Sequence, residues 1–439
     1  MVKVITYGTY DMLHYGHIRL LERARELGDY LIVGVTADDF DRSRGKINVE
    51  QSLAERMEGV RATGLADEII VEEYEGQKID DIQRYDVDIF TVGSDWRGHF
   101  DYLNDYCRVV YLDRTEGISS TEIRSKRQSI KMSFVGSGPV LDKYIAESSF
   151  VNGMEEEGRL VAPRVADAPK GEFDELLSRS EAVFFATHPD GHYEEVAAAL
   201  DRGVHVLCES PITKTEMQAR ELQVIARNRG LILMDAIKTA HATAYSRLLL
   251  LAKTGAIGRI VSVDANCTGM SGFCADKAKA GAIQGSMDYW APTAVLPIFQ
   301  LLGDSFVEER YVTFGDSSIA GSDAFTRASY VFADAVASFK VGRSVKTEGE
   351  LVVSGTKGYI YVPAPWWKTD YFEVRHENSD CNKRYFYQLD GEGIRNQLAA
   401  FSRAIEHGVA ASGITADDSI AIARVFEHFA CADFTRHIY

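Results

Sequence analysis

Val2-Lys3-Val4-Ile5-Thr6-Tyr7, then Gly8-Thr9-Tyr10-Asp11-Met12-Leu13-His14-Tyr15-Gly16-His17, then Ile18-Arg19-Leu20-Leu21-Glu22-Arg23-Ala24 is the stretch that sets the first fold of this chain. The short apolar run predicts a buried strand, and the last segment has the three-to-four spacing of a helix. Two histidines and a glycine therefore sit at a strand-to-helix turn. A second motif, Arg114-Thr115-Glu116-Gly117-Ile118-Ser119-Ser120-Thr121, lies about a hundred residues on.

Both motifs suit polyphosphate. When a phosphate oxygen attacks the α-phosphorus of a nucleoside triphosphate, negative charge grows on the bridging and equatorial oxygens, and the protein's task is to position and stabilise it. Imidazoles at His14 and His17 can donate to those oxygens, Gly16 lets backbone approach, and the amides of the following helix add to the field. Arg114 presents a fixed fork of donors. Ser119-Ser120-Thr121-Glu122 reads as a capping box at another helix start, a second anion site.

On these residues, positions 1 to about 128 resemble the glycerol-3-phosphate cytidylyltransferase family, within the wider His-x-Gly-His nucleotidyltransferases. The resemblance implies a small α/β domain with a parallel sheet that joins CTP to a polyol phosphate with Mg2+ and releases pyrophosphate. It implies catalytic imidazoles at His14 and His17, with Gly8, Thr9, Tyr10 and Asp11 forming the loop beside them. It places Lys46 and Arg56 on the triphosphate, Asp95 and Trp96 on the wall for the base and substrate, and Arg114, Thr115, Ser119, Ser120 and Thr121 on the phosphates.

A chain of 439 residues has room for more than this. After the basic stretch Arg124-Ser125-Lys126-Arg127, a new strand, Ile130 to Val135, meets Gly136-Ser137-Gly138-Pro139-Val140-Leu141 and an amphipathic segment, Asp142 to Phe150. That pattern opens a dinucleotide-binding unit, with Leu141 where a third glycine is usual. Strands at Glu181–Ala186, Val204–Glu209 and Leu231–Ala236 alternate with helices at 194–201 and 215–229. With Ala186-Thr187 followed by His192, and with Cys208-Glu209-Ser210-Pro211, residues 131 to 435 resemble the glucose-fructose/inositol dehydrogenase superfamily. The implied partition is a cytidylyltransferase domain over 1–128, a dinucleotide-binding Rossmann domain over 131–240, and an α+β domain over 241–439. The last carries an open, largely antiparallel sheet, with strands such as Tyr330 to Val341 and Leu351 to Val362 and outer helices at Asn396–Glu406 and Asp418–Phe429. The implied cofactor ligands are Gly136, Gly138, Thr187, His192, Glu209 and Pro211.

Departures from that superfamily matter. Its usual lysine before the proline is Ser210, which carries no positive charge to polarise a substrate oxygen. The expected Asp and His on a later helix correspond to Asp288 to Thr293, where there is no histidine. Lys238 and His241, just past a strand end, stand as candidates to replace the missing acid. Arg164, rather than an acid, follows the second strand and favours NADP over NAD. Two readings stay open for this half: a reductase that makes the polyol phosphate, and a degenerate scaffold that binds a nucleotide or drives oligomerisation.

Composition narrows the partners. A formal charge of -17 argues against nucleic acid, and no run approaches the roughly 18 apolar residues of a membrane span. The chain starts directly on a strand, so a cytoplasmic enzyme acting on small molecules, as a homodimer or homotetramer, is the expectation. The six cysteines are far apart, without a C-x2-C pair, and are expected to be reduced. Pro189 and Gly191 separate His188 from His192, so no resident metal site is expected.

Overall fold

Strand β1 (Lys3–Gly8) lies between two parallel neighbours, β2 (Tyr30–Thr36) and β4 (Ile89–Gly93). With β3 (Glu68–Glu72) and β5 (Arg108–Leu112) at the edges, the sheet runs β3-β2-β1-β4-β5 with every pairing parallel. Alternation along the strands divides the core. Val4, Leu31 and Val33 pack with Leu21 of α1 (Tyr15–Arg25) and Val60 of α2 (Leu53–Ala62), while Ile5, Ile32 and Phe90 pack with Ile82 of α3 (Gln77–Tyr85). Both faces are thus covered, as a parallel sheet requires. The strand order reverses at β1, so the C-terminal ends of β1 and β4 flank a crevice of the kind in which such sheets bind ligands.

The structure is a computed structural model that describes residues 1–37, 49, 51–74, 76–113, 129–151, 153–270, 285–315, 323–387, 389–408, 413–431 and 433–438. It divides into two compact units, Met1–Ser129 and Ile130–Tyr439. Lys46, Arg114, Thr115, Ser119, Ser120 and Thr121 lie outside the described residues.

The second unit begins with another parallel sheet, ordered β10-β9-β8-β6-β7. Its strands are β6 (Ile130–Gly136), β7 (Met154–Val161), β8 (Ala182–Ala186), β9 (His205–Glu209) and β10 (Leu233–Ala236). Between them run α4 (Pro139–Ser148), α5 (Glu172–Arg179), α6 (His192–Asp201) and α7 (Glu216–Asn228). Helix α8 (Thr243–Lys253) leads into a nine-stranded sheet. Its strands are β11 (Ile260–Thr268), β12 (Glu308–Gly315), β13 (Asp323–Val331), β14 (Val336–Gly342), β15 (Leu351–Gly355), β16 (Tyr359–Val362), β17 (Tyr371–Arg375), β18 (Lys383–Phe386) and β19 (Thr435–Ile438). All neighbours are antiparallel except β11 with β14 and β12 with β19.

The mixed, largely antiparallel sheet follows the sequence reading, with one change. Tyr330 to Val341 and Leu351 to Val362 are each parts of two strands joined by a tight turn; at the first turn the Phe332 N–H donates to the Ala335 carbonyl at 2.8 Å. Helix α9 (Ser286–Leu302) packs on this sheet, while α10 (Ile394–His407) and α11 (Ala416–Ala430) return to the first half of the unit. Gln397 of α10 donates to the Asp235 carbonyl at 3.1 Å and accepts from the Tyr144 hydroxyl. Arg424 of α11 binds Glu216 of α7 at 2.8 Å, and Ala219, Ile420 and Ala423 pack beside them. Among the described residues no helix is long and apolar enough to cross a membrane.

Candidate active sites

In the first unit the loop between β1 and α1 is held in an uncommon shape. Tyr10 and Met12 both have left-handed backbones, φ 53° and 49°, which residues with side chains adopt only when their surroundings impose it. Three anchors do so. The Gln51 side chain accepts from the Met12 N–H at 2.8 Å, and its own N–H donates to Asp11 at 3.0 Å. Arg56 donates to the carbonyls of Thr9 at 2.7 Å, Thr36 at 2.8 Å and Gln51 at 3.1 Å. Gly8 leaves room for the folded-back Tyr10 ring, which a Cβ there would meet at 3.0 Å.

That loop delivers the two histidines. His14 caps α1: its backbone is extended and its Nδ1 accepts from the Gly16 N–H at 3.1 Å. His17 lies in the first turn, its ring stacked on His14 with centroids 3.9 Å apart and edge-on to Tyr10 at 5.6 Å. Both imidazoles thus sit beside the first N–H groups of α1 at the end of β1. Across the crevice, Asp95 and Trp96 form a short turn after β4, Asp95 exposed and Trp96 against His99 and Phe100. Arg56, expected on the triphosphate, is bonded to this loop. It is fully buried, and its guanidinium is committed to backbone carbonyls, so it shapes the loop from within. Gln51, which sequence reasoning missed, shares that task; only its partners in the fold reveal it.

In the second unit the turn between β6 and α4 suits a dinucleotide. Gly138 has φ 85° and precedes the helix, and a Cβ there would enter open space over the N-terminal amides of α4, where a pyrophosphate is bound in such folds. Gly136 serves packing instead, since a Cβ would lie 2.3 Å from the Ala186 carbonyl oxygen. Leu141, at the third-glycine position, is core. Arg164 is exposed three residues past β7.

Two of the expected cofactor ligands turn inward. His192 is fully buried, with Nδ1 2.8 Å from the Pro211 carbonyl and Nε2 3.2 Å from that of Thr187; burial pushes its pKa down to about 4, leaving a neutral ring. The Thr187 hydroxyl donates to Glu195, which also accepts from the Val165 N–H at 2.9 Å. His192 ties the loops after β8 and β9 together, while Thr187 through Glu195 ties the loop after β8 to that after β7, which explains why polar residues stand there.

Where the nine-stranded sheet meets the parallel sheet lies a cavity of about 220 Å³. Pro139, Lys143 and Tyr144 of α4, Glu209 and Ser210 after β9, Lys238 after β10, Tyr289 and Trp290 of α9, and Trp367, Lys368 and Glu392 line it. Lys238 therefore does stand in one cavity with Ser210. Burial lowers its ammonium pKa against the opposing pull of Glu392, to which it is bonded. Burial also pushes the Glu209 carboxyl up to about 7, opposed by Lys238. His241 is not among the lining residues. Its ring packs on Gly413, where a Cβ would come within 2.6 Å, so it is a core histidine and not a partner of Lys238. Sequence reasoning also missed Lys214, whose Nζ joins Asp190 at 3.1 Å and Asp288 at 3.0 Å.

Comparison with known proteins agrees with this division. Residues 5–126 match the cytidylyltransferase-like family. Over 130 residues the chain is 49% identical to the glycerol-3-phosphate cytidylyltransferase of Bacillus spizizenii, covering 30% of this chain and all of that protein. The chain belongs to the glycerol-3-phosphate cytidylyltransferase family. The family's enzyme from Staphylococcus aureus is 51% identical over 128 residues, 29% of this chain and 95% of that protein. The protein is thus a nucleotidyltransferase, and its cytidylyltransferase-family unit is joined to a second, different one.

Residues 140–236, beyond the cytidylyltransferase-like unit, match an oxidoreductase family with an NAD-binding Rossmann fold. A 3-ketoreductase from Actinomadura kijaniata, solved with NADP and TDP-benzene, shares the fold with TM-score 0.58 at 20% identity, over 71% of this chain and 99% of that one. A UDP-N-acetylglucosamine 3-dehydrogenase from Acidithiobacillus ferrooxidans aligns with TM-score 0.55 at 18% identity, over 68% and 97%. The second unit has an oxidoreductase fold.

Proposed function

We propose that this cytidylyltransferase-family chain is bifunctional, with the second unit reducing a keto or aldehyde phosphate to a polyol phosphate and the first activating that product as a CDP-polyol for cell-surface polymer synthesis. In the first unit a phosphate oxygen of the polyol phosphate attacks the α-phosphorus of Mg2+-bound CTP, and the bond to the leaving pyrophosphate breaks. The stacked His14 and His17 at the crevice support this reading; they can donate to the oxygens on which charge builds. Asp95 and Trp96 bound the same crevice.

For the second unit, the observation that carries the reading is Lys238 in the cavity with Ser210 and Glu209. The residues fit a nicotinamide dinucleotide: Gly138 opens the approach to the α4 amides, and exposed Arg164 suits the 2'-phosphate of NADP. Held there, a reduced nicotinamide would supply hydride chemistry to a carbonyl substrate in the cavity. Lys238 gives the proton to the carbonyl oxygen, and its lowered pKa eases that transfer.

The test is direct. NADPH should bind the full chain and be oxidised by phosphorylated keto or aldehyde compounds, and pyrophosphate release should require CTP, Mg2+ and a polyol phosphate. A second reading, a transferase with a catalytically silent scaffold, draws on Ser210 standing where the superfamily's lysine is usual. Neither binding nor oxidation of NADPH would select it.

A further inference from the structure

Three lysines from distant parts of the chain converge on one carboxylate in the cavity of the second unit. Lys143 stands one turn into α4, Lys238 follows β10, and Lys368 precedes β17. Lys143 lies 3.0 and 3.1 Å from the two Glu392 oxygens, Lys368 lies 2.7 Å from one, and Lys238 bonds the other. Three ammonium groups against one carboxylate leave a surplus of positive charge, which Glu209 in the same cavity offsets only in part. Burial would raise the Glu392 carboxyl, yet the bonds from Lys238, Lys368 and Lys143 together hold it down at about 2. An anion at this point is therefore strongly favoured.

The carboxylate is delivered by an unusual backbone. Gly391, Glu392 and Gly393 have φ 58°, 54° and 86°, three successive left-handed residues immediately before α10. Glycine enters that region readily and glutamate does not. The cofactor's own phosphates belong elsewhere, at the amides of α4 beside Gly138 and beyond β7 at Arg164.

We infer that Lys143 and Lys368, beside the proton donor Lys238, form the subsite for the phosphate of the reductase's substrate, and that Glu392 is an internal stand-in which this phosphate displaces. The identity of the substrate rests on the reductase reading above; the existence of the anion subsite does not. A phosphate monoester dianion suits this surplus of positive charge, whereas an uncharged sugar would have to leave Glu392 in place. The enzyme would then select phosphorylated carbonyl compounds by making them compete with its own carboxylate.

Calorimetric titration of the full chain with inorganic phosphate tests the subsite. The transferase unit contributes the same background in each variant, so differences between variants report the cluster. Lys368→Met and Lys143→Met should each weaken this binding at least about tenfold, and Glu392→Gln should tighten it by about the same factor. Lys368→Arg should retain it, and an unchanged circular dichroism melt of the second unit in each variant checks that this unit is folded. Identical isotherms for wild type, Lys368→Met and Glu392→Gln would overturn the subsite.

A second arm separates this idea from the reductase reading. With NADPH present, dihydroxyacetone phosphate and dihydroxyacetone are compared as oxidants, and Glu392→Gln should lower KM for the phosphorylated compound alone. Variant-dependent phosphate binding without NADPH binding would remove the reductase and leave the subsite. NADPH oxidation that ignores both the phosphate and Glu392 would do the reverse.

Discussion

His14 and His17 lie face to face, ring centroids 3.9 Å apart and planes 21° apart, with His14 also capping the helix that carries His17. The cap and the chemistry can be separated. His17→Ala should lower CTP- and polyol-phosphate-dependent pyrophosphate release by about 100-fold or more. His14→Asn should preserve the cap and the unfolding midpoint while losing activity, whereas His14→Ala should also lose about 1 kcal/mol of stability. Full activity in His17→Ala would remove the histidines from the mechanism.

Arg56 supplies donors to three backbone carbonyls that the fold buries around it. Arg56→Met should destabilise the first unit by about 3 kcal/mol or more in urea unfolding, since stranded carbonyls each cost about 1–3 kcal/mol. Arg56→Lys should recover only part, because an ammonium cannot span the three positions. A loss confined to KM for CTP, with stability intact, would return Arg56 to the triphosphate.

The two glycines after β6 should answer differently. Gly138→Val places a side chain where the cofactor would lie and in a left-handed backbone, so NADPH should bind at least about tenfold more weakly in a chain that still folds. Gly136→Ala drives a methyl into the Ala186 carbonyl and should reduce soluble, folded protein. Fluorescence titration with NADPH and the circular dichroism melt distinguish the two.

Removal of the Lys238 ammonium should leave cofactor binding almost untouched. Lys238→Met is expected to cut NADPH-dependent reduction by about 100-fold or more with the NADPH affinity held within about threefold. Equal rates in the two proteins would mean that the proton comes from another group.

Asp235 is buried with no hydrogen-bond partner on either carboxylate oxygen among the described residues. Burial, against the weaker pull of the nearby Ser210 and Ser419 hydroxyls, sets its pKa at about 7, up from 3.8. A carboxyl raised on folding holds more protons in the native state, so its contribution is complete below pH 3.8 and is lost as pH rises towards 7. Asp235→Asn should therefore flatten the fall in melting temperature of the second unit between about pH 4 and 7. A slope equal to that of wild type would place the titration on other groups, Glu209 first.

The strand, loop and helix around His14 and His17 could be read from the chain because they are contiguous, and local pattern reports local structure. The same logic failed at Arg56 and His192, where a polar residue beside a ligand loop looked outward but is buried against carbonyls. It failed again at Phe332-Ala333-Asp334-Ala335, a hairpin turn without glycine, proline or asparagine, whose apolar residues extend the pattern of the flanking strands. Lys143 and Glu392 are 249 positions apart, and nothing in either neighbourhood announces the other. Tertiary folding alone brings those charges together.

The return of α11 onto α7, fixed by Arg424 on Glu216 and by the Glu216 N–H on Glu427 at 2.9 Å, bears on how such a chain can be assembled by recombination. A cut after β10 would strip α7 of the helix packed against it and leave Glu216 without Arg424. The second compact unit therefore begins after Ser129 and includes α10 and α11.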